Sequence, residues 1–146
     1  MESIKRIKGT DDILPPEIYL WQFMESKIRE IMQQYNYQEI RIPVFEHTEL
    51  FARSIGEATD IVSKEMYTFD DLGGRSLTLR PEGTAGVVRA YIEHSLGAKE
   101  PVVKCYYICP IFRQEKPQKG RRRQFNQFGI EVIGTDSPYA DVEGIL

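Results

Sequence analysis

The sequence predicts an α+β fold in which a mostly antiparallel sheet is flanked by helices. Three observations carry that expectation. Runs rich in aromatic and β-branched residues, 106–115 and 124–134, flank a gap holding Pro117 and Gly120, which reads as a long hairpin. Leu14, Ile18, Trp21, Met24, Ile28, Ile31, Met32 and Tyr35 recur at helical spacing over about five turns. Strand and helix patterns do not alternate in the regular order of a parallel βαβ sheet.

The elements follow in order. Asp11-Asp12-Ile13-Leu14-Pro15-Pro16 places acids and prolines where a first helical turn tolerates them, and core packing is the expected role of the stripe that follows. Gln38-Glu39-Ile40-Arg41-Ile42-Pro43 alternates and predicts a strand ending at Pro43. A short helix is expected over about 48–55, stopped by Gly56. Residues 66–69 and 76–80 read as paired strands around Asp70-Asp71-Leu72-Gly73-Gly74. Arg80-Pro81-Glu82-Gly83-Thr84 then leads into a helix carrying Val87, Val88, Tyr91, Ile92 and Leu96, closed by Gly97. The hairpin completes the sheet. Ser137-Pro138 opens a last helix with Tyr139, Val142, Ile145 and Leu146 on its stripe, and the abrupt ending is that expected of a piece of a larger protein.

At 146 residues and 41% hydrophobic the chain has the length and core of one domain. A net charge of −3 does not mark a general nucleic-acid binder. Charge is nevertheless concentrated: 116–123 holds Lys116, Lys119, Arg121, Arg122 and Arg123 and no acid, either a loop aimed at a polyanion or a solvated surface. Cys105 and Cys109 are the only cysteines, without a CxxC pair or a neighbouring histidine, which argues against zinc and against a disulfide scaffold. No metal site is expected. His47 and His94 are isolated and read as surface or packing residues. Glycine-rich phosphate loops, HExxH and GxSxG are absent, as are an apolar leader and any run of membrane-spanning length, so a cytoplasmic location is the expectation.

Strand parity divides the hairpin. Even positions Tyr106, Ile108, Phe112, Phe128, Ile130 and Val132 form an apolar face, read as the core. The odd face carries Arg113, Glu115, Phe125, Gln127 and Glu131. A turn about Lys119–Gly120 sets Arg113 opposite Gln127 and Glu115 opposite Phe125. The guanidinium of Arg113 suits a phosphate, or else an ion pair with Glu115 or Glu131. Glu115 suits an exocyclic amine, Phe125 a stacked base or the core, and Gly129 leaves room for a ligand between Gln127 and Glu131. Glu82 and Thr84 suit a ligand ammonium, or else a capping turn.

Phe112-Arg113-Gln114-Glu115 with its basic loop and following strand resembles the second signature motif of class II aminoacyl-tRNA synthetases, and the long helix leading to Ile40-Arg41-Ile42-Pro43 resembles the first. Leu79-Arg80-Pro81-Glu82-Gly83-Thr84-Ala85, Gln127-Phe128-Gly129-Ile130-Glu131 and Lys8-Gly9-Thr10-Asp11-Asp12 narrow the resemblance to the histidyl-tRNA synthetase family, over essentially the whole chain. It implies that residues 1–146 are the N-terminal portion of a catalytic domain, truncated before the third motif and the anticodon-binding domain. The parent would activate histidine with ATP, supported by Mg2+, and transfer it to tRNA(His), as a homodimer built on the first-motif helix and strand. Arg113 would be catalytic and hold the α-phosphate. Glu115, Phe125 and Arg121 would hold the rest of ATP, and Glu82, Thr84, Gln127 and Glu131 the histidine. Weak or absent catalysis is expected of this stretch alone. Two rivals remain: the histidine-binding regulatory subunit of ATP phosphoribosyltransferase, which resembles the same family, and a nucleic-acid-binding module using loop 116–123.

Overall fold

The computed structural model describes residues 3–55 and 65–145. Helix α1 spans Glu17–Gln34 and is entered through Pro16. Its Met32, with Ile28, packs on Tyr37, Tyr106, Ile108, Ile130 and Val132. Leu14, Met24, Ile31 and Tyr35 of the predicted stripe are exposed, as are Tyr19, Leu20 and Phe23. Core packing therefore explains one edge of the helix and not the whole stripe.

Strand β1 is only Gln38–Glu39 and runs parallel to β5, Val103–Phe112. The expected strand does not reach Pro43. Ile40 still donates to the Tyr106 carbonyl at 2.9 Å, but the carbonyls of Ile42 and Pro43 are taken by the Arg80 guanidinium at 2.7 and 3.0 Å, and Pro43 has no N–H for a ladder. Strand β2, Phe45–His47, was not foreseen; it abuts helix α2, Thr48–Ile55, which lies where expected. Gly56, its expected stop, falls outside the described residues.

Strands β3, Thr68–Asp70, and β4, Ser76–Leu79, pair antiparallel as predicted, and β2 joins the other side of β4. Their turn is held by the Asp71 carboxylate, which accepts from the backbone N–H of Gly73 and Arg75 at 2.8 and 2.9 Å, while Gly74 takes φ +75°. Helix α3, Thr84–Glu93, ends before Gly97; Ser95 adopts a left-handed conformation, and Leu96–Ala98 forms a separate 3-10 turn.

Strand β6, Gln124–Ile133, pairs antiparallel with β5 from Val103↔Ile133 to Phe112↔Gln124. Helix α4, Pro138–Ile145, opens where predicted, while Leu146 lies outside the described residues. The sheet expected as one is two, ordered β1-β5-β6 and β2-β4-β3, and the Phe112 N–H bridges them to the Arg80 carbonyl at 3.0 Å. Apart from β1–β5 every described pairing is antiparallel, as the α+β reading expects.

The core is not confined to the even face. Cys105, Tyr107, Cys109 and Ile111 are buried on the odd face with Ile42 and Val87, and the even face packs on α1. The β5–β6 hairpin is covered from both sides, so its first strand is apolar in both directions.

Candidate functional site

The hairpin turns where expected: Gln118 and Arg121 bridge across its tip, and Gly120 takes φ +81°. Its register differs from expectation. Gln127 faces Cys109 and Phe125 faces Ile111, while the Arg113 N–H reaches the Arg123 carbonyl at 2.9 Å. The cause lies in 113–117. The Gln114 N–H turns out of the ladder to the Glu65 carbonyl at 2.6 Å and Pro117 has none to offer, so this stretch bows out against Arg122 and Arg123 alone. The paired residues stay odd with odd and even with even, so the faces survive the error.

Arg113 hangs over the β6 side chains of that odd face. Its guanidinium carbon lies 5.3 Å from the centre of the Phe125 ring, and its Nε donates to the Pro81 carbonyl at 2.9 Å. Its nearest described carboxylate contact is Glu115 at 3.8 Å, too long for a hydrogen bond, and Glu131 is paired elsewhere. Phe125 is both core and wall, since it also packs against the odd-face cluster.

Glu115 has a side chain only 10% exposed, and its Oε2 is buried without a hydrogen-bond partner. Arg121 Nε stands 3.8 Å away. A buried acceptor left unpaired costs about 1–3 kcal/mol, so a donor is called for at this atom. It opens on a cleft of about 540 Å³ lined by Arg113, Glu115, Arg121 and Phe125 together with Glu65 and Arg122. All four residues assigned to ATP by the resemblance thus meet in one cleft. Glu65, also present there, was missed; no motif marked it.

The Glu82 carboxylate accepts from the N–H groups of Thr84 and Ala85 at 2.6 and 2.9 Å, so it caps α3, as the capping reading anticipated. Thr84 is the first helical residue rather than the cap, and its hydroxyl donates to Glu131 at 2.7 Å. Gln127 donates to the Tyr107 hydroxyl at 3.4 Å. Glu82, Thr84, Gln127 and Glu131 are therefore brought together beside Tyr107. Burial raises the Glu131 carboxyl pKa, against the lowering effect of the Thr84 hydrogen bond and with a further push from Glu82.

The space beside Gly129 is not left for a ligand. A Cβ there would lie 2.3 Å from Tyr107 Cζ, and one at Gly83 would meet the same atom at 2.3 Å. Gly83 needs no special backbone, with φ −103°; both glycines are bare because one ring occupies their side-chain space. Tyr107 was missed, although the odd positions of β5 (Cys105, Tyr107, Cys109, Ile111) all read as apolar and pointed to packing on that face. Arg80 was missed in its supporting role too. It is 4% exposed and ties the Glu82 turn to Pro110, Ile42 and Pro43 through their carbonyls.

The basic loop is less bare than its letters. Asp11 pairs with Arg6 at 2.7 Å and with Arg122, and the Gly9 carbonyl accepts from the N–H groups of Arg123 and Gln124 at 2.8 and 3.2 Å. The N-terminal segment straps the base of the hairpin. Cys105 and Cys109 are free and buried, and burial pushes the Cys105 thiol up to about 11. No helix of the described residues is long and apolar enough to cross a membrane.

Comparison with known proteins agrees with this geometry. The histidyl-tRNA synthetase family model matches residues 9–146. The histidine–tRNA ligase of Listeria monocytogenes (strain F2365) is 60% identical over 94% of this chain, which spans 33% of that protein. The apo histidyl-tRNA synthetase of S. aureus superposes with a TM-score of 0.81 at 48% identity, over 98% of this chain and 32% of that one. An ATP phosphoribosyltransferase regulatory subunit/histidyl-tRNA synthetase from Bacillus halodurans shares the fold, with a TM-score of 0.79 at 24% identity over 99% of this chain and 37% of that one. The chain spans about a third of the length of the ligases it matches.

Proposed function

The chain belongs to the histidyl-tRNA synthetase family, and on that premise we propose that it supplies the second-motif half of a site that activates histidine with ATP and passes it to tRNA(His). In this reading residues 1–146 are the N-terminal portion of a class II catalytic domain. The observation that carries it is the buried, unpaired Glu115 Oε2 opening on the cleft shared by Arg113, Arg121 and Phe125. An adenine amine supplies the donor that atom lacks, and Phe125 offers an aromatic wall. A regulatory subunit that only bound histidine would have no use for it.

The reaction is nucleotidyl transfer. A histidine carboxylate oxygen attacks the α-phosphorus, the bond to pyrophosphate breaks, and pyrophosphate leaves with its electron pair. Such chemistry asks the protein for alignment and for fixed cations where charge develops. Arg113, held by the Pro81 carbonyl and Phe125, is the preset cation, and Arg121 reaches the distal phosphates. Glu82, Thr84 and Gln127 receive the α-ammonium of histidine, and Glu131 accepts from the imidazole N–H. Mg2+ would supply charge neutralisation on the triphosphate. The described residues bring together no group of three potential metal ligands, which suits an ion held mainly by phosphate oxygens.

Tyr19, Leu20, Phe23 and Met24, exposed on α1, fit a homodimer contact on the first-motif helix. A soluble cytoplasmic enzyme is the setting this reading implies. The test is histidine-dependent pyrophosphate–ATP exchange by a full-length ligase bearing this segment. Arg113→Ala should lower it about 100- to 1,000-fold while sparing most RNA affinity. Equal loss of both would return the assignment to a nucleic-acid-binding module.

A further inference from the structure

Tyr107 occupies a position that packing alone does not exhaust. Its ring is 2% exposed and slotted between Gly83 and Gly129, so it cannot move aside in either direction. Its hydroxyl emerges among the four residues assigned to the amino acid. It accepts from Gln127 Nε2 at 3.4 Å and hydrogen-bonds with the Thr84 side chain. Thr84 Oγ1 in turn lies 2.7 Å from Glu131 Oε1.

The donors in this row have one consistent direction. An ionised carboxylate only accepts, so the single proton of Thr84 is committed to Glu131. Thr84 must then accept from Tyr107, which commits the phenolic proton. A phenol whose proton is committed can only accept from Gln127, so the amide turns its NH2 inward. The amide carbonyl is left facing the pocket as a free acceptor. Burial, with the nearby Glu131 charge, pushes the Tyr107 hydroxyl up to about 12, so it keeps its proton throughout the working pH range.

We propose that Tyr107 is a positioning residue for amino-acid recognition: as the middle link between Gln127 and Glu131, its hydroxyl makes Gln127 present a carbonyl oxygen to the α-ammonium of the bound amino acid. An unanchored amide could equally show its NH2, a donor facing a cation. The proposal rests on the assignment of Glu82, Thr84, Gln127 and Glu131 to histidine and adds how their polarity is set.

The test uses Tyr107→Phe in a full-length ligase bearing this segment, because phenylalanine keeps the ring between the two glycines and deletes only the hydroxyl. Histidine-dependent pyrophosphate–ATP exchange should show a KM for histidine raised about 10-fold, with kcat and the KM for ATP little changed. Two competitive inhibitors separate positioning from packing. Histidinol keeps the ammonium and should weaken about 10-fold, whereas 3-(imidazol-4-yl)propionate lacks it and should bind the variant as it binds the parent. Equal weakening of both inhibitors, or of neither, overturns the role given to Tyr107. A parent ligase with no histidine-dependent exchange removes the functional reading itself, and this proposal with it. A thermal midpoint for Tyr107→Phe close to that of the parent shows that the fold is intact.

Discussion

Replacing Gly129 with alanine puts a methyl group 2.3 Å from Tyr107 Cζ and 2.4 Å from its hydroxyl oxygen. Ordinary carbon contacts begin near 3.5 Å, so the ring or the strand must give by roughly 1 Å. The ring has nowhere to go, because Gly83 closes its other side at the same 2.3 Å. Overpacking of this kind costs about 1–3 kcal/mol, equivalent to a fall in melting temperature of very roughly 2–12 °C for a domain near this size. Urea denaturation followed by circular dichroism measures it. The mechanism also predicts non-additivity. Tyr107→Ala alone should cost about 3–5 kcal/mol, and once the ring is gone Gly129→Ala should cost far less, a coupling of at least about 1 kcal/mol. Strictly additive losses, or an unchanged midpoint for Gly129→Ala, would show that the ring is not what keeps that position bare.

Three further outcomes are expected. Arg80→Met removes the donor to three carbonyls at 2.7 to 3.0 Å in a buried setting and should cost about 3 kcal/mol or more in urea denaturation. Glu131 has a native pKa above its unfolded one, so the folded state holds the proton more tightly and stability falls as pH rises through that interval. Glu131→Gln should therefore gain on the parent in urea midpoint between mildly acidic and neutral pH, with the gap closing on acidification. Asp11→Ala frees Arg6 and Arg122 and should tighten RNA binding at low salt, steepening the log–log salt dependence by about 0.7–0.9 per added phosphate contact.

Local patterns were readable wherever local physics decides. The α2 helix, the β3–β4 pair, the turn at Gly120 and the start of α4 follow from periodicity, turn residues and caps. Hairpin parity was readable as well, because alternation is a property of the strand itself. Register was not, because the Gln114 N–H is drawn to Glu65, a residue distant in sequence, and that contact bows 113–117 out of the ladder. The second core layer was hidden for a similar reason: whether an apolar odd face meets ligand or helix depends on where Val87 and Ile42 arrive. Gly83 and Gly129 illustrate the limit most clearly. Each looks like backbone freedom or empty space in the sequence, and each is instead the imprint of one tyrosine from a third segment.

The buried cysteines have a practical consequence for anyone wishing to watch the basic loop. Cys105, pushed up to about 11, exposes roughly one thiolate in a few thousand near pH 7.5, and Cys109 is raised as well by its burial. The native sulfurs are thus nearly silent towards maleimides and iodoacetamides while the fold holds. A single cysteine engineered at Lys119 would take a fluorophore or spin label almost alone, without first stripping the chain of its own thiols.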